Sequence, residues 1–331
     1  MILYLSLIHI CHGYNLKILK NADQHAVDVG LKYVNNDACY PSIIVVGQLI
    51  EALQSGEYDL DNTTVIISQT AGGCRATNYI GFLRKALADA GFSSIPVLSL
   101  NVVGLEKNPG FKLSLPLFNN LILAILYGDL LMRLLLRTRP YEINKGECDK
   151  LYEQWIQRCR EATVRGKISE IKKIAGQMIA DFEAVEIRET IKPRVAVVGE
   201  ILVQYHPLAN NNLIRNIEKE GGEAFQPDIL NFFLYIAAQS EAKYRKLSRS
   251  FGGYAACNLF IKMLNIYLAP IKKLLREHPR FGQLSNIKKL AGKAESVLSL
   301  CNITGEGWFL TAEMLELIEK GIPNICLLYT S

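Results

Sequence analysis

Short runs of β-branched residues alternate with stretches of helical period over the first 140 positions. Residues 64–68 (TVIIS) read as a buried strand and residues 95–100 as another, with Pro96 near its start, where a strand tolerates it. Between them Tyr79, Ile80, Leu83 and Leu87 share one face of a helix expected over residues 76–90, and Gly91 supplies its stop. Strand, helix and strand joined by short loops predict parallel pairing. Upstream, Pro41 opens an amphipathic helix over residues 42–53. Residues 142–189 are charged and helical, with Leu151, Trp155, Ile168, Ile171, Ile174, Met178 and Phe182 as candidates for the buried face. A second strand–helix–strand unit follows: a strand at residues 194–199, a helix at 211–220, then Gly221-Gly222 and a strand near 223–226. Residues 232–300 read as mostly helical, 310–319 as a helix and 322–325 as the start of a last strand. The expected class is α/β, with two doubly wound parallel-sheet lobes joined and covered by helical segments. The expected bounds are a first lobe at 12–141, a helical connector at 142–190 and a second lobe at 191–325. No fixed-period repeat is visible.

A length of 331 residues suits about two domains, and 50% hydrophobic with 21% charged residues excludes a disordered chain. A net charge of +5 spread over this length, without a Lys/Arg block or a basic-aromatic stripe, is no nucleic-acid footprint. The longest uncharged apolar stretch, residues 113–128, is interrupted by Pro116, Asn119 and Asn120 and falls short of the roughly 18 apolar residues expected of a span. The expectation is a cytoplasmic protein with neither nucleic acid nor membrane as partner. The two ends carry a separate signal. Residues 5–10 and 326–331 can both be encoded by the string CTGTCTCTTATACACATCT read in two frames, which looks like a transposon-end sequencing adapter. Residues 1–11 and 326–331 are therefore expected to be sequencing artefacts and are set aside from fold reasoning.

Eight cysteines remain to be placed, with irregular spacing and no C-x-x-C, which argues against a disulfide scaffold, a zinc ribbon or a ferredoxin-type run. Cys326 lies in the suspect tail and Cys11 at the suspect junction. Two of the others sit where chemistry is usual. Cys39 precedes the helix that Pro41 opens, and Cys74 lies in the turn between a strand's carboxyl end and the next helix. Open α/β sheets bind ligands at that edge, and helix N-termini stabilise a thiolate or an anionic group. Arg75 adds positive charge, and Gly72-Gly73 permits close backbone approach. The residues alone leave four readings open. These are a phosphate loop lacking the G-x-x-x-x-G-K-[ST] pattern, a nucleophilic cysteine with His206 as the convenient base, two buried structural thiols, or metal ligation. No catalytic residue is assigned. The polar loop 200–212 carrying His206, and Glu306 in Gly305-Glu306-Gly307-Trp308, each admit a site role or a plain capping or turn role. Trp155 reads as core, residues 107–110 as a turn, and Cys301 as a buried thiol.

Longer strings carry a resemblance. NNDACYP (35–41), QTAGGCRATNY (69–79), GLEKNPGF (104–111), YGDLLMR (127–133), GEILVQYHPLANN (199–211) and TGEGWFLTAEM (304–314) occur in order. Together they resemble the activase-related branch of the 2-hydroxyacyl-CoA dehydratase superfamily, over nearly all of residues 14–325. The likeness is to the cluster-carrying portion and not to the actin-like ATPase portion, whose phosphate motifs are absent from the sequence. The resemblance implies α/β lobes and a 4Fe-4S-type iron–sulfur cluster held by thiolates, with Cys39 and Cys74 matching the first two ligands. The third would lie in a Phe-Gly-Cys-Leu-Pro-like segment after residues 322–325, where this sequence departs from the pattern, so Cys326 is not expected to be that ligand. It further implies an actin-like ATPase as partner, an acyl-CoA as candidate substrate, and electron transfer at low potential in an anaerobe, and it admits a dimer. The alternative is a non-catalytic regulatory or docking domain that keeps the fold without a cluster.

Overall fold

The structure is a computed structural model, and it describes residues 15–19, 23–70, 73–100, 114–248 and 250–328. It is a mixed α/β fold, 63% helical, with two small parallel sheets. The chain divides into two compact units. The smaller comprises 17–113 and 200–212, and the larger is built from 114–199 and 213–327.

In the smaller unit β1 (Val65–Ser68) pairs in parallel with β2 (Val97–Leu100), Val65 opposite Val97 and Ser68 opposite Leu100. Three helices cover this ribbon: α1 (Gln24–Tyr33), α2 (Tyr40–Gln54) and α3 (Tyr79–Asp89). Asp23 caps α1 through the Ala26 amide at 3.3 Å, and Pro41 stands in the first turn of α2, where its missing N–H costs nothing. The expected face of α3 is the observed one, with Tyr79, Ile80, Leu83 and Leu87 all buried against Ile44, Ile50 and Ile67. Gly91 (φ +86°) ends that helix as expected. Its start differs. A 3-10 turn, Arg75–Asn78, precedes α3, so the regular helix begins three residues later than its apolar spacing suggests.

In the larger unit α4 (Leu115–Thr138) is the central helix, with Leu123, Tyr127, Leu131 and Leu134 fully or almost fully buried. An apolar surface that runs round a helix must be buried all round. Helix α4 therefore lies among α5 (Glu147–Arg165), α6 (Ile171–Glu183), α9 (Leu230–Lys246) and α10 (Phe251–Glu277). Two sequence expectations shift here. The segment 115–138, assigned to the first lobe, packs in the larger unit, and the helices read as a connector supply its core through Trp155, Met178 and Phe182. Ile168, expected to be buried, is 43% exposed, because it sits on a separate 3-10 turn rather than on the apolar face of α6. A three-stranded sheet of order β4-β3-β5 is formed by β3 (Arg194–Gly199), β4 (Glu223–Phe225) and β5 (Asn324–Leu328), with β3 and β4 parallel. The short helices α7 (Ile201–Tyr205) and α8 (Leu213–Lys219) follow β3, and α11 (Ile287–Glu295) and α12 (Gly307–Glu319) complete the described elements. Residues 1–11 lie outside the described residues, while Cys326 belongs to β5.

Two of these helical segments, Leu115–Tyr141 and Phe251–Glu277, are long and apolar enough to cross a membrane by length and composition. The first overlaps residues 113–128, the stretch judged too interrupted for a span. The first buries 56% of its most apolar window inside the protein, as a core helix does, and the second only 22%.

The larger unit buries several charges. Asp129 on α4 accepts the amide hydrogens of Ile229 (3.1 Å) and Leu230 (2.9 Å) at the start of α9. Arg133, one turn on, pairs with Asp228 and donates to the Phe281 carbonyl at 3.2 Å. On α12 the Glu313 carboxyl is pushed well above the ordinary carboxylate range by burial, then by Glu316, Asp228 and Glu306, against the opposing charge of Lys320. Between the ordinary value and that raised one, the unfolded chain binds fewer protons than the folded chain, so stability falls as pH rises. Glu313→Gln removes this slope. In urea titrations the variant is expected to match the parent at about pH 4 and to exceed it by ~1 kcal/mol or more at about pH 8. Parallel pH profiles for the two proteins would contradict the assignment.

Candidate functional site

The two cysteines singled out by the sequence lie in the smaller unit, each placed by backbone geometry. Beyond the end of β1, Gln69 donates its amide hydrogen to the Leu100 carbonyl (3.0 Å). Its side chain accepts from Ser99 Oγ (2.6 Å) and donates to the Thr77 carbonyl (3.0 Å). One glutamine thus ties the turn after Cys74 to the end of the sheet. Cys74 is extended (φ −77°, ψ 142°), and the Thr77 amide closes the 3-10 turn on its carbonyl at 3.1 Å. Cys39 is extended in the same way (φ −58°, ψ 130°) immediately before α2, and its carbonyl accepts from the Ser42 amide (2.8 Å) and Ser42 Oγ (2.6 Å). Neither cysteine side chain makes a cap hydrogen bond at its helix start.

Two further residues bring the cysteine segments together. Arg75 Nη1 donates to the Asp37 carbonyl (3.1 Å), clamping the residue after Cys74 onto the loop before Cys39. Tyr79, the first residue of α3, buries its ring in the core while its hydroxyl hydrogen-bonds Cys39 and lies within electrostatic range of Cys74 and Glu200. Burial raises the Tyr79 hydroxyl's pKa most, and the Cys39 hydrogen bond adds to the rise, so the phenol stays a donor. Tyr79 was visible in the sequence only as a core residue. A buried tyrosine needs a partner for its oxygen, and that requirement was the available signal.

The other candidates are sorted by position. Gly73 is exposed beside Cys74, and Gly72 lies outside the described residues, as do residues 107–110. Because a 3-10 turn separates Cys74 from α3, the helix-dipole argument applies to Cys39 and weakens at Cys74. His206 is buried, with Nε2 3.4 Å from Gln48 Nε2, no hydrogen-bond partner at Nδ1, and a pKa lowered by burial. Gln48 stands nine residues after Cys39, ~13 Å along α2, which does not bring His206 to Cys39 as a base. Glu200 caps α7 through the Val203 amide (2.9 Å), and Leu208 and Ala209 pack on the same hydrophobic cluster as Ala38, Cys39 and Tyr40, so part of loop 200–212 shares a core with the Cys39 segment. Glu306 precedes α12 in the larger unit, where Gly305 accepts from the Tyr235 hydroxyl at 3.1 Å; its turn opens a helix. Cys301 is half-buried rather than buried. Cys148 and Cys159 are buried in α5, and burial pushes the Cys159 thiol up to about 12 and raises Cys148 as well.

Thiols on two segments held together by Arg75 have the donor chemistry of cysteinyl ligation to iron–sulfur groups and other soft metals. Among the described residues no group of three or more His, Cys, Asp or Glu is arranged to hold a metal ion. Comparisons with protein-family models, with curated proteins and with solved structures find no match.

The burial pattern predicts a reactivity order. In the native chain Cys39 and Cys74 should be alkylated by iodoacetamide at least ~100-fold faster than Cys148 and Cys159, which should react only after unfolding. Peptide mapping of the labelled chain reads this directly, and native labelling of Cys148 would contradict it.

Proposed function

We propose that this chain is the iron–sulfur electron-transfer component of an ATP-driven system, a 2-hydroxyacyl-CoA dehydratase-like enzyme or a related low-potential reductase. The observation that carries the reading is the tie between the two cysteine segments: Arg75, next to Cys74, donates to the Asp37 carbonyl two residues before Cys39, and the Tyr79 hydroxyl hydrogen-bonds Cys39. In this reading Cys39 and Cys74 hold a 4Fe-4S-type cluster, which when bound supplies a one-electron centre. Gly73, exposed beside Cys74, puts no side chain in its way. Arg75 keeps the two ligand loops in register, and Tyr79 directs an O–H at the Cys39 sulfur, a hydrogen bond of the kind that tunes cluster potential. The implied partner is an actin-like ATPase, the substrate class an acyl-CoA and the compartment the cytoplasm. The finer architecture of two doubly wound lobes belongs to the same proposal.

A second reading, a regulatory or docking domain without a cluster, is favoured by one observation: among the described residues no three His, Cys, Asp or Glu side chains are grouped as metal ligands.

Anaerobic reconstitution with iron and sulfide separates the two. The first reading expects bound iron and acid-labile sulfide in the parent chain, most of it lost in Cys39→Ser and in Cys74→Ser and retained in Cys257→Ser. Iron retained in both ligand variants overturns it. A colourless parent chain that still binds the ATPase establishes the second.

A further inference from the structure

The helix pair α9–α10 of the larger unit carries an unusual distribution of charge and apolar surface. Residues 230–277 hold eight Lys and Arg against two Glu, a net charge of +6, while the whole chain carries +5. The rest of the molecule is therefore close to neutral, and the positive charge is concentrated in one element pair. Lys243, Arg245 and Lys246 crowd the last turn of α9. Residues 250–261, which follow, contain no charged side chain.

Phe260 and Ile261 of that stretch pack against the core, but one face of α10 there and just beyond turns away from it. Phe251 is 62% exposed, Leu259 69% and Ile266 65%, spread over ~22 Å of helix axis. At the turn between the helices Tyr244 stacks on Tyr254 (centroids 5.2 Å apart), with Phe251 edge-on to Tyr244 at 5.6 Å. An aromatic cluster thus stands at the surface on the same turn as Lys243, Arg245 and Lys246, of which Arg245 pairs with Glu241 (3.0 Å) and Lys246 with Glu295 (3.3 Å) on exposed side chains. Helix α10 is apolar enough to cross a membrane and yet has only 22% of that window buried in the protein. Its apolar surface is not accounted for by its own fold.

We propose that the α9–α10 pair docks on an anionic lipid surface, with Phe251, Leu259 and Ile266 in the acyl boundary and Lys243, Arg245 and Lys246 among the headgroups. Interfacial helices combine these features: an apolar face, flanking Lys and Arg, and aromatic rings at headgroup depth. A second copy of the chain is the wrong occupant, because it would set one net +6 surface against another. A nucleic acid is disfavoured by residues 250–261, which offer no charge to phosphate. The expectation of no membrane partner rested on looking for spans, and a surface-docked helix escapes that search. The proposal is independent of the cysteine site.

Co-sedimentation of the full chain with lipid vesicles tests it. The chain should pellet with phosphatidylcholine vesicles containing phosphatidylserine, and salt should release it. The exposed triple variant Lys243→Gln/Arg245→Gln/Lys246→Gln should bind ~100-fold more weakly, at about fivefold per cation. The variant Phe251→Ser/Leu259→Ser should also lose binding while keeping the parent's circular dichroism. Equal pelleting with pure phosphatidylcholine overturns the proposal, as does parent-like binding by the triple variant. So does a dimer in sedimentation equilibrium that Phe251→Ser/Leu259→Ser converts to monomer, since the face is then occupied by a second copy.

Discussion

The contact on which the cysteine site depends is between two helix backbones. A Cβ on Gly47 of α2 would stand 1.8 Å from the Ala26 carbonyl oxygen, and one on Gly30 of α1 would stand 2.1 Å from that of Ile43. Neither position admits any side chain, so α1 and α2 touch main chain to main chain. Such an approach leaves no slack in how α2 lies, and Cys39 immediately precedes its first turn. Helix α3 packs against the same core through Leu83 and Leu87, and its first residue is Tyr79. A tightly packed interior thus fixes the hydroxyl that reaches the Cys39 sulfur. The loops themselves add only the Arg75 clamp and the Gln69 tie.

The most perturbed carboxyl groups lie elsewhere. In the larger unit Glu313 and Asp129 are shifted upward by burial, and Arg139 makes two 2.9 Å bonds to Glu218. Perturbed groups nominate functional sites, but structural networks perturb them too. Here Asp129 caps α9, and Glu223 gathers Arg137, Arg194 and Tyr141 beside β4, so these charges are occupied in joining elements. The thiols of the smaller unit have no comparable structural duty as caps, which is the stronger reason to assign chemistry to them.

Much of this was legible in the sequence where local pattern governs. Residues 64–68 and 95–100 gave β1 and β2, and the spacing of Tyr79, Ile80, Leu83 and Leu87 gave the buried face of α3. Cys39 and Cys74 were found because a proline-opened helix and a strand-to-helix turn are local signals. What failed depends on packing. Chain order assigns residues 115–138 to the first lobe and 200–212 to the second, whereas each segment packs with the other unit. No local pattern reports that between residues 17 and 327 the chain crosses between units three times. Lys243, Arg245 and Lys246 escaped notice as a patch because Tyr244 and Leu247 interrupt and flank the run; they become one surface when α9 and α10 are laid side by side.

The central claim is that Cys39 and Cys74 face one bound group, and short-span thiol bridging tests it most directly. Dibromobimane, which becomes strongly fluorescent when both of its arms react, should join Cys39 to Cys74 in the native metal-free chain. The bridged peptide should be recovered by mass spectrometry, and denaturant should abolish the reaction. Single adducts at each cysteine, with no bridged peptide, would contradict the account, because thiols that cannot reach one small reagent cannot share a ligand.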